Sequence, residues 1–72
     1  MEEKQSDKQT IGQKIRSWRI KRELTQEGLA RKADIPYTTL AKVESGVIQN
    51  PSIETVRKLA VGLEITIDEL IS

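Results

Sequence analysis

The chain has 72 residues, of which 36% are hydrophobic and 32% are charged, and it contains no cysteine, histidine or phenylalanine. A chain of this size has room for one domain, and packing alone must hold it, because no disulfide or Cys/His metal site is available. The same absences remove the commonest general base and the thiol nucleophile, so an enzyme is not expected and no cofactor is implied. The longest apolar run, residues 59–63, is far below the roughly 20 residues that span a bilayer. With an acidic start unlike a signal peptide, this predicts a cytoplasmic protein without a membrane segment.

The net charge of +1 conceals an uneven distribution of charge along the chain. Residues 11–33 carry seven Lys or Arg against two Glu, which gives +5, whereas residues 34–51 sum to −1 and residues 52–72 to −2. A basic segment of this kind favours a polyanionic partner. Charge alone is equally consistent with a solvated helix face rich in Lys and Arg.

The apolar pattern changes after the first nine residues. Residues 1–9 have one apolar side chain and mixed charge, which predicts a flexible arm. Thr10 and Gln13 then have the spacing of a capping box, which predicts a first helix over about residues 10–22. Its core face is predicted from helical spacing at Ile11, Ile15 and Trp18. Its exposed face is expected to carry the cations Lys14, Arg16, Lys21 and Arg22.

Two short helices are predicted in the middle of the chain, with a tight turn between them. Thr25 is a good N-cap for a second helix over residues 26–33, whose apolar face has Leu29, Ala30 and Ala33. Pro36 disfavours the α region for the residue before it, so this helix ends near Asp34. A third helix is predicted from Tyr37 to Ser45, with Leu40 and Val43 inward and Gly46 as its stop.

Two further helices are predicted after a loop at residues 47–51. Ser52 caps the fourth, whose core stripe is predicted at Ile53, Val56, Leu59, Ala60 and Leu63. Thr66 and Glu69 have the spacing of a second capping box, which begins a short fifth helix with Ile67, Leu70 and Ile71. The alternation over residues 64–68 is too short and isolated for a sheet. The sequence therefore predicts an all-α fold of five short helices.

The order and spacing of these segments resemble the phage-repressor and Cro type of helix-turn-helix, the Xre family. The matching residues include Ile11-Gly12, Ile15, Arg19, Leu24-Thr25-Gln26-Glu27, Leu29-Ala30, Ile35, Leu40, Val43-Glu44-Ser45-Gly46, Pro51, Leu59-Ala60, Leu63 and Asp68-Glu69-Leu70. The resemblance implies a lambda-repressor-like domain over residues 10–72 that binds double-stranded DNA. The chain departs from the family pattern at the helix boundaries Asp34, Pro36 and Glu64, and the loop after Gly46 lacks the Lys or Arg that often contact phosphate there.

The third helix is expected to read bases, because the major groove is about 12 Å wide and admits one α-helix. The predicted base-reading residues are Tyr37, Thr38, Thr39 and Lys42. Lysine donates to guanine O6 and N7, and threonine bonds bases or touches the thymine methyl group. The alternative for all four is an ordinary solvated helix face, and for Tyr37 it is also packing on the turn after Pro36.

A second group of residues is predicted to position the domain on the DNA backbone. Thr25 and Gln26 begin the second helix, whose free amides and positive dipole end favour a phosphate, and Ser45 offers another hydroxyl. In the family the residue matching Gln26 commonly reaches the DNA backbone. The resemblance also implies a partly buried structural ion pair between Arg19 and Glu44, which links the first helix to the end of the third.

Two classes of function remain open at this point. The first is a transcriptional regulator that reads a near-palindromic operator, free as a monomer or weak homodimer and pairing on DNA. Its pairing surface is expected on the fifth helix, at Ile67 and Ile71. The second is a protein-interaction module, such as an antitoxin-like helical domain, whose third helix faces another protein. The basic segment and the small polar residues of the third helix favour the first class.

Overall fold

The computed structural model describes residues 9–72, which contain five α-helices and no strand. The helices are α1 (Ile11–Lys21), α2 (Gln26–Ala33), α3 (Tyr37–Ser45), α4 (Ile53–Leu63) and α5 (Ile67–Ile71). The predicted all-α fold is confirmed, and the first three helices begin and end within one residue of their predicted bounds. No helix in this part of the chain combines the length and the apolar character needed to cross a bilayer. The arm predicted over residues 1–9 lies outside the described residues, apart from Gln9.

Local side-chain hydrogen bonds fix four of the five helix starts. Both capping boxes are complete, with reciprocal bonds between Thr10 and Gln13 and between Thr66 and Glu69. Single caps are made by Thr25 to the Gly28 N–H and by Ser52 to the Thr55 N–H. At the start of α3, Pro36 makes no side-chain cap bond, and its ring sets φ to −63°. Because each cap joins residues three positions apart, it can be predicted from the sequence.

Three helices end with an acidic residue in the left-handed conformation. The φ angles are +58° at Glu23, +59° at Asp34 and +62° at Glu64. The residue after each donates its N–H to the carbonyl five positions earlier, at 2.9 to 3.0 Å, and packs against the core; these residues are Leu24, Ile35 and Ile65. This arrangement is the Schellman motif, in which glycine is the usual left-handed residue because other side chains are strained there.

One hydrophobic core lies between the helices. Around this core α2 packs on α4, α1 packs on α3, and α5 lies against α1 and α4. The fully buried large side chains are Ile15, Leu29, Leu40, Val43, Leu59, Leu63 and Leu70. Trp18 is half-buried against this core. Ile53 was predicted to join the core and does not, since it is 71% exposed. Its spacing is right, but burial in α4 begins later, at Val56, which is the first residue of the helix to reach the core.

Glycine allows α1 to approach the backbone of α3. Gly12 is buried, and a Cβ at this position would lie 2.1 Å from the carbonyl oxygen of Val43 and 3.1 Å from Cα of Glu44. No side chain fits in that space. The contact therefore sets how closely the third helix sits against the first.

Candidate nucleic-acid interface

The α2–turn–α3 segment presents one face of α3 to solvent. Leu40 and Val43 are buried on the inner side, which leaves the opposite side of the helix outward. Thr38 and Lys42 are both exposed and stand one turn apart, at positions i and i+4, so their side chains are neighbours. Thr39 is half-buried and lies round the side of the helix. Of the predicted base-reading residues, Thr38 and Lys42 thus form the outward polar row.

Tyr37 occupies a different place from this row. It is 50% exposed and lines a shallow depression together with Arg19 and the first residues of α2, Thr25, Gln26 and Glu27. The ring therefore borders the α2 N-terminus, where the predicted phosphate contacts are. Glu27 was not singled out from the sequence, although its place in the first turn of α2 could have been read from the Thr25 cap.

The residues predicted to contact phosphate differ in whether they have a side-chain proton free to donate. The Thr25 hydroxyl oxygen accepts the Gly28 N–H at 2.9 Å, so its own proton remains available. Gln26 donates one N–H of Nε2 to Glu44 Oε1 at 3.0 Å and keeps the second. Ser45 donates its only hydroxyl proton to the Lys42 carbonyl at 3.2 Å. Ser45 can therefore donate to a phosphate only after it gives up that bond.

Arg19 and Glu44 form a bidentate ion pair between α1 and the last turn of α3. Arg19 Nε lies 2.8 Å from Glu44 Oε2, and a terminal nitrogen lies 3.1 Å from Oε1. The other terminal nitrogen donates to the Leu24 carbonyl at 2.9 Å. The two side chains are 13% and 4% exposed, so loss of one partner would leave a buried charge without compensation.

Several cations of the basic segment have partners within the fold. Lys14 was predicted to be exposed, but its Nζ donates to the carbonyls of Ile71 and Ser72 at the end of α5, both at 3.0 Å. Arg22 donates to the Leu63 and Glu64 carbonyls at the end of α4, at 2.9 and 3.3 Å. These carbonyls lie at helix C-termini, where the dipole favours a cation. Sequence reasoning missed both contacts because they cross 41 to 58 positions.

Lys21, a further cation of the basic segment, lies beside Trp18 together with Arg22. Lys21 Nζ is 5.0 Å and the Arg22 guanidinium carbon is 5.6 Å from the centre of its ring. The Trp18 side chain is also partly buried against the core. In residues 9–72 no group of acidic side chains has the arrangement of a metal site.

The arrangement of α2, turn and α3 is found in known proteins. A family model described as helix-turn-helix matches residues 15–70. This chain belongs to the helix-turn-helix family. It is 37% identical over 62 residues to the immunity repressor protein of Bacillus phage phi105, with 86% of this chain and 42% of the relative covered. It is 41% identical over 59 residues to the cryptic phage CTXphi transcriptional repressor RstR of Vibrio cholerae, with 82% and 52% covered.

Solved helix-turn-helix structures agree with the sequence relatives. The N-terminal DNA-binding domain of SinR from Bacillus subtilis superposes with a TM-score of 0.81 at 29% identity, covering 86% of this chain and 90% of that one. SinR in complex with DNA gives 0.83 at 28% identity, covering 88% and 100%. The resemblance to the phage-repressor type is therefore confirmed. The chain spans about half the length of the curated relatives it matches.

Proposed function

We propose that this domain binds double-stranded DNA in a sequence-specific manner and acts as a transcriptional regulator, with α3 in the major groove. The observation that carries the proposal is the outward polar row of Thr38 and Lys42 on a short helix beside the exposed N-terminus of α2. The two phage repressors and the SinR complex with DNA support it. Regulation follows from occupying promoter DNA or contacting RNA polymerase.

The residues divide into two roles in this proposal. Lys42 donates to guanine, and Thr38 bonds a base or touches a thymine methyl group, with Thr39 and Tyr37 at the margin of the base-reading surface. The Thr25 hydroxyl, the second Gln26 amide N–H and the free amides of α2 hold a phosphate, and Ser45 adds a hydroxyl near the end of α3. Base contacts specify the sequence, and phosphate contacts fix the register.

The proposal also covers assembly, location and chemistry. The domain pairs on a near-palindromic operator, two copies reading half-sites about one helical turn apart. It works inside the cell on chromosomal DNA, without a cofactor and without catalysis.

The alternative, an antitoxin-like protein-interaction module, requires an apolar surface on α3. Among the exposed residues of α3 only Tyr37 is large and partly apolar, so no feature of that helix favours the alternative.

Selection from random duplexes followed by titration at several salt concentrations tests the proposal. We expect a preferred site, with log K falling by about 0.9 per neutralised phosphate as log salt rises. Lys42→Ala and Thr38→Ala should each change the preferred base at one position, at about 1–3 kcal/mol per lost contact. Lys58→Ala on α4, which removes the same charge elsewhere, should leave the preference unchanged. No binding at low salt would exclude the DNA proposal.

A further inference from the structure

The Glu44 carboxylate joins the two groups of residues to which the proposed function gives separate roles. It accepts hydrogen bonds from Arg19 on α1 and from Gln26 at the start of α2, while it belongs itself to the last turn of α3. Its side chain is 4% exposed, so both bonds are shielded from water. The ion pair with Arg19 is structural, and the bond to Gln26 has no assigned role.

The chemistry of this bond determines how the Gln26 amide is turned. A carboxylate only accepts, so the nitrogen of the amide must face Glu44, and the carbonyl oxygen is directed elsewhere. The bond at 3.0 Å uses one of the two Nε2 protons. The other proton remains for a second acceptor. A glutamine without this partner would rotate freely and would present oxygen as readily as nitrogen.

The orientation of the Gln26 amide matters because of where this residue lies. Gln26 is the first residue of α2 and lines the same depression as Thr25 and Tyr37. A phosphate oxygen there needs a donor, and an amide oxygen turned toward it would repel it. Holding a long side chain in its bound conformation before association reduces the entropy lost on binding, which corresponds to about two- to tenfold in affinity per side chain.

We propose that Glu44 is a positioning residue for DNA binding: through Gln26 it directs an amide N–H toward the backbone phosphate at the start of α2. The inference rests on the proposed function. Under this proposal the phosphate contact of α2 is coupled to the position of the base-reading helix, because the carboxylate that orients Gln26 belongs to the last turn of α3.

A double-mutant cycle on a selected duplex tests this coupling. Gln26→Ala in the wild-type background should weaken binding about three- to tenfold without changing base preference. In the Glu44→Leu background, where position 44 has no acceptor for the Gln26 amide, the same substitution should cost less than twofold. Arg19→Lys is the control, because it alters the ion pair and leaves the Glu44–Gln26 bond in place. In that background the full Gln26→Ala loss should persist. Equal losses in all three backgrounds would show that Glu44 has only a structural role.

A measurement on the free wild-type protein covers the case in which Glu44→Leu does not fold. Side-chain ¹⁵N relaxation should show the Gln26 amide to be rigid, while Gln49, exposed in the loop after α3, serves as the mobile reference. A Gln26 amide as mobile as that of Gln49 would overturn the positioning role. Wild-type protein that binds no duplex would refute the proposed function instead, whereas binding with additive losses would refute only this inference.

Discussion

Glu27 is the one residue of the depression whose charge opposes the proposed function. It lies in the first turn of α2, where a carboxylate interacts favourably with the helix dipole, and it shares the depression with Thr25 and Gln26. A phosphate bound there would meet a like charge. Helix stability and DNA affinity therefore make opposite demands on this position.

Glu27→Gln is expected to tighten duplex binding about two- to fivefold at low salt, since an exposed charge near a phosphate contributes on the order of 1 kcal/mol or less. The gain should shrink as salt is raised, because the charges are screened. The thermal midpoint should fall slightly through the lost dipole interaction. Titration of a labelled duplex at two salt concentrations, with a parallel melt, measures both effects.

Glu54→Gln provides the matched control for that experiment. Glu54 is exposed in the first turn of α4, so its substitution removes the same charge from the same helix position outside the depression. It should lower the thermal midpoint in a similar way and leave affinity nearly unchanged. Equal gains in affinity from both variants would mean that total charge, and no local contact at α2, is responsible.

At the scale of the helices, glycine at a left-handed C-terminal position should raise the free energy of unfolding, because it relieves backbone strain. Asp34 ends α2 at φ +59° and is exposed, and no hydrogen bond of its side chain occurs among the described residues. Asp34→Gly is expected to raise stability by about 0.5–1 kcal/mol, because relief of the left-handed strain exceeds the entropy that glycine adds to the unfolded chain. For a domain of this size that is about 2–8 °C in the thermal midpoint.

Gly46→Ala gives the converse test at the end of α3. Gly46 has φ +93°, and a Cβ added there would meet nothing within 4 Å. Any loss of stability therefore comes from the backbone conformation alone, and we expect about 1 kcal/mol. A midpoint that does not rise in Asp34→Gly, beside one that falls in Gly46→Ala, would show that the aspartate is already relaxed in its turn.

The contact between α1 and α3 allows a prediction about the Gly12 position. Gly12→Ala would place Cβ 2.1 Å from the Val43 carbonyl oxygen, so the two helices must separate. We expect a loss of about 2–3 kcal/mol in the free energy of unfolding, although alanine is the better helix former. DNA affinity should fall as well, since α3 is displaced. Denaturant titration measures the first effect and duplex binding the second.

Gly28→Ala is the control for Gly12→Ala. A Cβ at Gly28 would approach only the Thr25 hydroxyl at 3.1 Å and a Leu24 methyl at 3.8 Å, both of them side-chain atoms. The effect on stability should be smaller than that of Gly12→Ala, because the Thr25 side chain has to shift by only a few tenths of an ångström. A Gly12 variant as stable as the Gly28 variant would show that α1 and α3 tolerate a wider spacing.

Much of the element scale was predictable, because the information is local. The caps at Thr10, Thr25, Ser52 and Thr66 use residues within one turn, and the periodicity of α2 and α3 identified their buried faces. What the sequence did not reveal depends on neighbours distant in the chain. Nothing near Ile53 indicates that its turn is left uncovered, and nothing near Lys14 indicates that α5 ends beside it.

The candidate site divides in the same way. Thr38 and Lys42 could be placed outward from the spacing of α3 alone. The bond from Gln26 to Glu44 spans 18 positions and depends on how α2 and α3 pack, so no pattern predicts it. The same holds for the role of the glutamate, which was expected to pair with Arg19 only.

At the scale of the whole molecule, the predicted pairing surface on α5 is reduced. Ile67 packs against the core, which leaves Ile71, at 52% exposed, as the apolar residue of α5 that is open to solvent. One aliphatic side chain contributes about 1.5–3 kcal/mol at most, less than the cost of association. We therefore expect the free domain to be monomeric at micromolar concentration and to pair only on a full operator.

Sedimentation of the free domain, together with titrations on full and half operators, checks this expectation. Binding to the full site should be cooperative and clearly tighter than binding to the half-site. Ile71→Ser should reduce the cooperativity without affecting half-site affinity if α5 carries the pairing contact. A tight dimer at nanomolar concentration, or equal affinity for the two duplexes, would contradict the assembly proposed here.

The two hydrogen bonds that Lys14 makes with the last carbonyls of α5 also bring the start of α1 near the end of α5. One helical turn and one lysine side chain separate these two points, so a linker of about five residues is long enough to join them. Because the start of α1 and the end of α5 lie close together, the fold is suited to circular permutation. A chain reopened between Val47 and Pro51 should keep its helices, core and thermal midpoint close to those of the natural order, and circular dichroism would show it.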